Sequence, residues 1–167
     1  GGRQTSAFSF RERIAEDVTR SAVDWIRKAK KPFFAFVHYY DPHTPYEPPE
    51  PYASIYKGRP YDGEIAYTDR AIGDLIEFLR REDLYENTLI ILVSDHGEGL
   101  GEHGEPAHGI LLYMPTVRVP FIVRIPEALE LRKQISPPER IEQGVRLVDI
   151  FPTVLDLLGI EYDGKID

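Results

Sequence analysis

Apolar positions along the chain fall into two rhythms, one at helical spacing and one of short continuous runs. Ile14, Val18, Ala22, Trp25 and Ala29 recur every three or four residues with charges between them, which predicts an amphipathic helix. Ser9 and Glu12 stand ahead of it at capping-box spacing, so the expected helix runs from about Ser9 to Lys30. Ile65, Ile72, Leu75, Ile76 and Leu79 mark one face of a second helix, from about Asp62 to Glu82. The continuous runs are of the other kind. Pro32 to His38 is a short aromatic stretch that reads as a buried strand, and Thr88 to Ser94 is apolar on both faces, as in a central parallel strand. Val119 to Ile125, with prolines at both ends, predicts a third strand. A last helix has Asp149 near its N-cap, Pro152 in its first turn and Gly159 as its stop, and the residues after Ile160 read as a tail. Helix, strand, helix, strand, strand, helix is the order of an α/β fold with a mostly parallel sheet flanked by helices.

Composition narrows the function classes. The chain has 167 residues, enough for one domain with a real core, and its 42% hydrophobic and 29% charged content is that of a soluble globular protein. A net charge of -8 argues against a nucleic-acid partner or an anionic membrane surface. No run is long or apolar enough to span a bilayer, and no signal-peptide pattern opens the chain. The absence of cysteine excludes disulfides, thiolate metal ligands and a thiol nucleophile.

The chemistry gathers in two places. Three of the five histidines, His96, His103 and His108, fall in "LIILVSDHGEGLGEHGEPAHG", and the other two, His38 and His43, fall in or beside "HYYDPHTPYEPPEPY". Proline frequency keeps the second segment out of helix and sheet interior. Both segments follow predicted strands, and ligands in open α/β sheets collect beyond the carboxyl ends of strands. Asp95 and His96 offer a carboxylate and an imidazole at a strand end, a pair suited to a divalent cation, with Gly97 letting the backbone turn away. The same tripeptide also fits an Asp that caps the next turn beside an ordinary polar His.

Taken together, "FVHYYDPHTPYEPP", "YDGEIAYTDRAIGDLIEFL", "SDHGEGLGEHG", the "HG" at His108, "VPFIV" and "VRLVDIFPTVLDLLGI" resemble, in order, the sulfatase family of the alkaline-phosphatase superfamily. The resemblance extends from about Trp25 to Gly159. It implies an alkaline-phosphatase-like fold, incomplete here: one partial domain over residues 1–167, the C-terminal part of a catalytic domain without the segment that bears the nucleophile. It also implies metal-dependent hydrolysis of sulfate esters by the parent protein. Asp95 and His96 match the family's metal-binding acid and its Asn or His; His43 matches the histidine that contacts the sulfate ester. His108 matches the Lys or His that contacts the same group and the leaving oxygen. The implied cofactors are one divalent metal ion, Ca²⁺ foremost with Mn²⁺ or Zn²⁺ as alternatives, and a formylglycine outside this chain. The implied partner is a sulfate-ester substrate, and a periplasmic or secreted parent is slightly favoured.

Other residues carry blander expectations. His38 either faces the site or is a satisfied core histidine; Glu98, Glu102 and His103 support the loop or lie in solvent. Tyr40, Asp41 and Tyr46 line a rim or simply pack. Asp69, on the apolar face of the second helix, should be buried and bonded to loop backbone. "SPPER", Ser136 to Arg140, fits the serine form of the family's C/S-x-P-x-R maturation motif but stands in the wrong place, after the third strand. The family's two further metal-binding acids have no counterpart here. The isolated chain should therefore be inactive, bind metal weakly and, with its first strand absent, self-associate. Phosphoethanolamine transferases, which share a very similar loop but use a threonine nucleophile with zinc, and phosphodiester or phosphonate hydrolases are the rivals within the superfamily. A non-catalytic sulfatase-like binding module is the rival outside enzymology.

Overall fold

The computed structural model describes residues 12–104, 112–129 and 140–165. The chain divides into two compact units, residues 1–85 and 86–167.

The first unit is built on two helices, α1 (Ala15–Lys28) and α3 (Pro60–Arg81), with a single turn of helix, α2 (Tyr52–Ile55), between them. Ala15, Tyr67 and Ala71 form a buried cluster with Tyr39 and Tyr52 packed against it, and Ile26, Phe78 and Leu79 are buried as well. Small residues at the crossing let polar groups meet across it. The Thr19 hydroxyl donates to the Ala71 carbonyl at 2.8 Å, so it receives its other bond, from the Tyr39 hydroxyl at 2.8 Å, as an acceptor. Arg27 lies over the Phe78 ring, 5.2 Å from its centroid.

The start of α1 differs from the capping box expected at Ser9, which lies outside the described residues. The helix begins at Ala15 behind Ile14, a residue that cannot cap, and the first free N–H groups find tertiary partners instead. Ala15 N–H donates to Asp41 Oδ2 at 2.9 Å, and Glu16 N–H donates to the Tyr67 hydroxyl at 3.2 Å.

The second helix lies where periodicity placed it, but its buried face is rotated from the expected one. Gly63, Glu64, Tyr67, Thr68, Ala71, Phe78 and Leu79 are buried, whereas Ile65 is exposed. Asp69 is exposed too, against the expectation that it is buried; the buried carboxylate is Glu64, at 1% exposure. Of the expected face Leu79 is buried and Ile72, Leu75 and Ile76 are half-buried, while small and aromatic residues supply most of the fully buried positions.

Residues 33–38 form no strand and join no sheet among the described residues. Phe33 sets its edge against Trp25, with centroids 5.9 Å apart, while Phe34 and Phe36 are each 81% exposed. A strand is completed by its ladder partners, and the sequence of one segment cannot supply them.

In the second unit, β1 (Ile90–Val93) pairs with β2 (Phe121–Arg124) in register Ile90 with Arg124 through Val93 with Phe121. Both strands are within the expected segments. Their pairing is antiparallel, whereas β1 was expected to sit among parallel neighbours. Arg124 ties the pair back to the preceding turn, donating to the Thr88 carbonyl at 3.0 Å and to Glu86 at 2.6 Å. A one-turn helix, α4 (Met114–Val117), lies between the strands in sequence. The last helix, α5 (Ile150–Leu158), matches expectation at both ends. Asp149 occupies the N-cap position, and Gly159 (φ 62°) closes the helix, with Ile160 N–H donating to the Leu155 carbonyl at 2.9 Å. Among the described residues no helix is long and apolar enough to cross a membrane.

Candidate active site

His43 belongs to the first unit and stands in the proline-rich loop after the aromatic segment 33–38. Its ring stacks on Tyr40, with centroids 4.4 Å apart. Nδ1 lies 2.7 Å from the Thr44 carbonyl. A carbonyl only accepts, so Nδ1 carries the proton and Nε2 is the lone-pair nitrogen of the neutral ring. Nε2 in turn meets the Tyr40 hydroxyl at 3.3 Å. Burial pushes the Tyr40 phenol above its ordinary pKa, and the Glu12 carboxylate, through its charge and a hydrogen bond, pushes the same way. The loop backbone is held from outside: His43 N–H donates to Glu64 Oε2 at 3.0 Å and Glu47 N–H to Glu64 Oε1 at 2.7 Å. Thr68 adds a bond from its hydroxyl to the Asp41 carbonyl at 3.3 Å.

Asp41 and Tyr46 take packing and capping parts. Asp41 caps α1 as described, and Tyr46 sets its ring edge-on to Tyr61, with centroids 5.3 Å apart. His38 is exposed and stacks on Phe36, so it is not a core histidine.

The second unit carries Asp95 and His96, where β1 runs out into the glycine loop. The two side chains meet: His96 Nε2 is 3.8 Å from Asp95 Oδ2, and His96 N–H donates to Asp95 Oδ1 at 3.0 Å. His96 Nδ1 is 2.7 Å from the Gly97 carbonyl, which fixes the proton there and leaves the lone pair on Nε2. Both groups open to solvent, the Asp95 side chain at 80% and that of His96 at 42% exposure. A divalent cation about 2.0–2.5 Å from each would lie between them, so the donor pair, its spacing and its tautomer fit a metal. Among the described residues no group of three or more His, Cys, Asp or Glu side chains completes such a cage.

The loop is clamped against α4. Gly97 N–H donates to the Thr116 carbonyl at 2.9 Å, and a Cβ on Gly97 would stand 2.0 Å from the Pro115 oxygen. Only glycine fits that approach. Beyond it, Glu98 and Glu102 accept backbone N–H groups of Gly99 (3.1 Å) and Leu100 (2.7 Å), and His103 stacks on Tyr113 with centroids 4.1 Å apart. These three act as loop supports. His108 lies outside the described residues, as do Ser136 to Glu139 of the "SPPER" stretch; Arg140, its last residue, is exposed and paired with Glu142 at 2.8 Å.

Sequence reasoning missed Glu64. A glutamate flanked by Gly63 and Ile65 looks solvated, yet Glu64, Thr68 and Ala71 recur at helical spacing, and that polar-and-small stripe was the available sign.

Comparison with known proteins places the chain in a family. The profile of the family described as Sulfatase matches residues 4–160. An endo-4-O-sulfatase of Bacteroides thetaiotaomicron is 29% identical over 81% of this chain and 30% of its own length. An arylsulfatase of Clostridium perfringens is 26% identical over 90% of the chain and 39% of its own. The crystal structure of yidJ from Bacteroides fragilis superposes with a TM-score of 0.78 at 26% identity, over 92% of this chain and 38% of that one. An alkaline-phosphatase-like fold, with an Asp–His pair at a strand end, is the class these features define. The chain belongs to the sulfatase family. It spans 30–39% of the length of the relatives named here.

Proposed function

We propose that this chain serves a metal-dependent sulfuric ester hydrolase, supplying part of its metal site and its sulfate contacts. One observation carries the reading: His96 is locked by the Gly97 carbonyl into the tautomer that presents Nε2 beside Asp95 Oδ2. Asp95 and His96 are then two ligands of a divalent ion, which when bound neutralises charge on the sulfate oxygens. Ca²⁺ is the first choice, and the identity of the metal rests on the family alone. Further strands would complete the mostly parallel sheet on which the pair is mounted.

The chain's own residues do the rest by binding and proton handling. His43 keeps its Nδ1 proton on Thr44, so Nε2 is the atom it offers to a sulfate ester, as donor when the ring is protonated. His108 is assigned the leaving oxygen, on the strength of its match to the family motif. A histidine there protonates a departing alkoxide near neutral pH. The nucleophile, a formylglycine in this reading, is not assigned to any residue of the chain.

The test is substrate choice. The complete protein carrying this chain, given a chromogenic aryl sulfate and the matching aryl phosphate, should hydrolyse the sulfate preferentially. Preference for the phosphate would move the protein to the phosphoryl-transfer branch, and turnover of neither, with the matured nucleophile verified by mass spectrometry, would favour a binding module.

A further inference from the structure

The loop that carries His43 cannot fix itself. Between Asp41 and Pro49 the prolines at positions 42, 45, 48 and 49 lack an N–H, and no ladder or helix holds residues 41–47. What holds this stretch comes from α3. Glu64 is buried at 1% exposure, and it accepts N–H groups from His43 (3.0 Å) and Glu47 (2.7 Å), one on each carboxylate oxygen. A turn further on, Thr68 binds the Asp41 carbonyl, and the Asp41 carboxylate caps α1. A carboxylate buried to that degree is costly unless its acceptor capacity is used, and here both oxygens serve the loop that bears the candidate sulfate contact.

We propose that Glu64 is the positioning residue for His43: its buried carboxylate fixes the 43–47 backbone from α3 and so sets where the imidazole stands, without touching substrate. The proposal rests on the reading of His43 as a sulfate contact. The chain of geometry is short. Glu64 holds the His43 amide; the adjoining Thr44 carbonyl holds Nδ1; and Tyr40 covers the ring and meets Nε2. Release of the first bond frees the backbone that supplies the second.

A double-mutant cycle in the complete protein tests it, with aryl sulfate hydrolysis as the readout. Glu64→Gln keeps shape and one acceptor oxygen but turns a donor toward the second amide; Glu64→Ala removes both acceptors. The expected losses in kcat/KM are about tenfold or more for Gln and up to ~10²-fold for Ala, the cost of misplacing a reacting group by about 1 Å. In a His43→Ala background the same changes should cost less than about twofold, because the group they position is gone. Amide proton resonances of His43 and Glu47 should move upfield in Glu64→Gln whatever the activity does.

Equal losses in the two backgrounds would overturn the proposal, since Glu64 would then serve folding alone. Full activity of Glu64→Gln beside an inactive His43→Ala would overturn it while leaving the functional reading intact. Unchanged activity of His43→Ala would sink the functional reading of His43 first and the proposal with it. Should Glu64→Ala fail to fold, the isosteric Glu64→Gln decides alone.

Discussion

Adding one methyl group at Gly97 should disable the proposed metal pair from a distance of one residue. The Cβ of Gly97→Ala would stand 2.0 Å from the Pro115 oxygen, 3.1 Å from its carbonyl carbon and 3.3 Å from the Arg118 oxygen. All three are backbone atoms, so no side chain can swing aside. Forcing a methyl into such a place costs roughly 1–3 kcal/mol. Moving the loop away also breaks the 2.9 Å bond from Gly97 N–H to Thr116, which contributes about 0.5–1.5 kcal/mol. The smaller conformational freedom of alanine in the unfolded chain offsets about 0.4–1 kcal/mol. A net destabilisation of about 0.5–4 kcal/mol follows. The larger consequence is local, because the Gly97 carbonyl holds Nδ1–H of His96 and so sets the nitrogen proposed as ligand. Loss of such a supporting partner lowers metal affinity by about 10–100-fold. Urea unfolding of the metal-free complete protein reads the first effect, and calorimetric titration with Ca²⁺, Mn²⁺ or Zn²⁺ reads the second. Unchanged stability together with unchanged affinity would refute the clamp.

Three further outcomes are expected. Asp41→Ala should destabilise the first unit by about 0.5–2 kcal/mol, the usual worth of a helix cap, and increase hydrogen exchange at Ala15; unaltered exchange there would contradict the cap. Arg146 and its backbone N–H hold the Asp149 carboxyl below its ordinary value of about 3.8, so the pair's stabilisation is present above that value and is lost as pH falls through the lowered one. The stability gap between wild type and Asp149→Asn should therefore close in strong acid and be constant at neutral pH, and a gap that widens on acidification would reverse the sign of the argument. The isolated 167-residue chain, with Phe34 and Phe36 each 81% exposed, should associate at high concentration, whereas a single monomeric species by light scattering would count against an open apolar face.

What could be read from the sequence was what depends on neighbours a few residues away. Periodicity located α1 and α3, apolar runs located β1 and β2, and Asp149, Pro152 and Gly159 located α5 almost to the residue. The meeting of Asp95 and His96 was legible for the same reason, since the two are adjacent and the turn at Gly97 is local. Long-range matters were not legible. The cap of α1 comes from Asp41, 26 residues away, where a capping box at Ser9 had seemed sufficient. The buried carboxylate of α3 is Glu64 and not Asp69, because the loop that needs an acceptor approaches one side of the helix and the sequence does not say which. The segment 33–38 has strand composition but no described partner, and pairing is a property of two segments.

The measurement closest to the central claim is turnover of an aryl sulfate by the complete protein with Asp95→Ala, alongside its metal content and its unfolding midpoint. Asp95 is exposed and fixes little besides the His96 amide and the proposed ion, so the fold should survive. Loss of bound metal and a fall in kcat/KM of several orders of magnitude, at an unfolding midpoint near that of the metal-free wild type, is the predicted result. An Asp95→Ala protein that keeps both its metal and its activity would contradict the account.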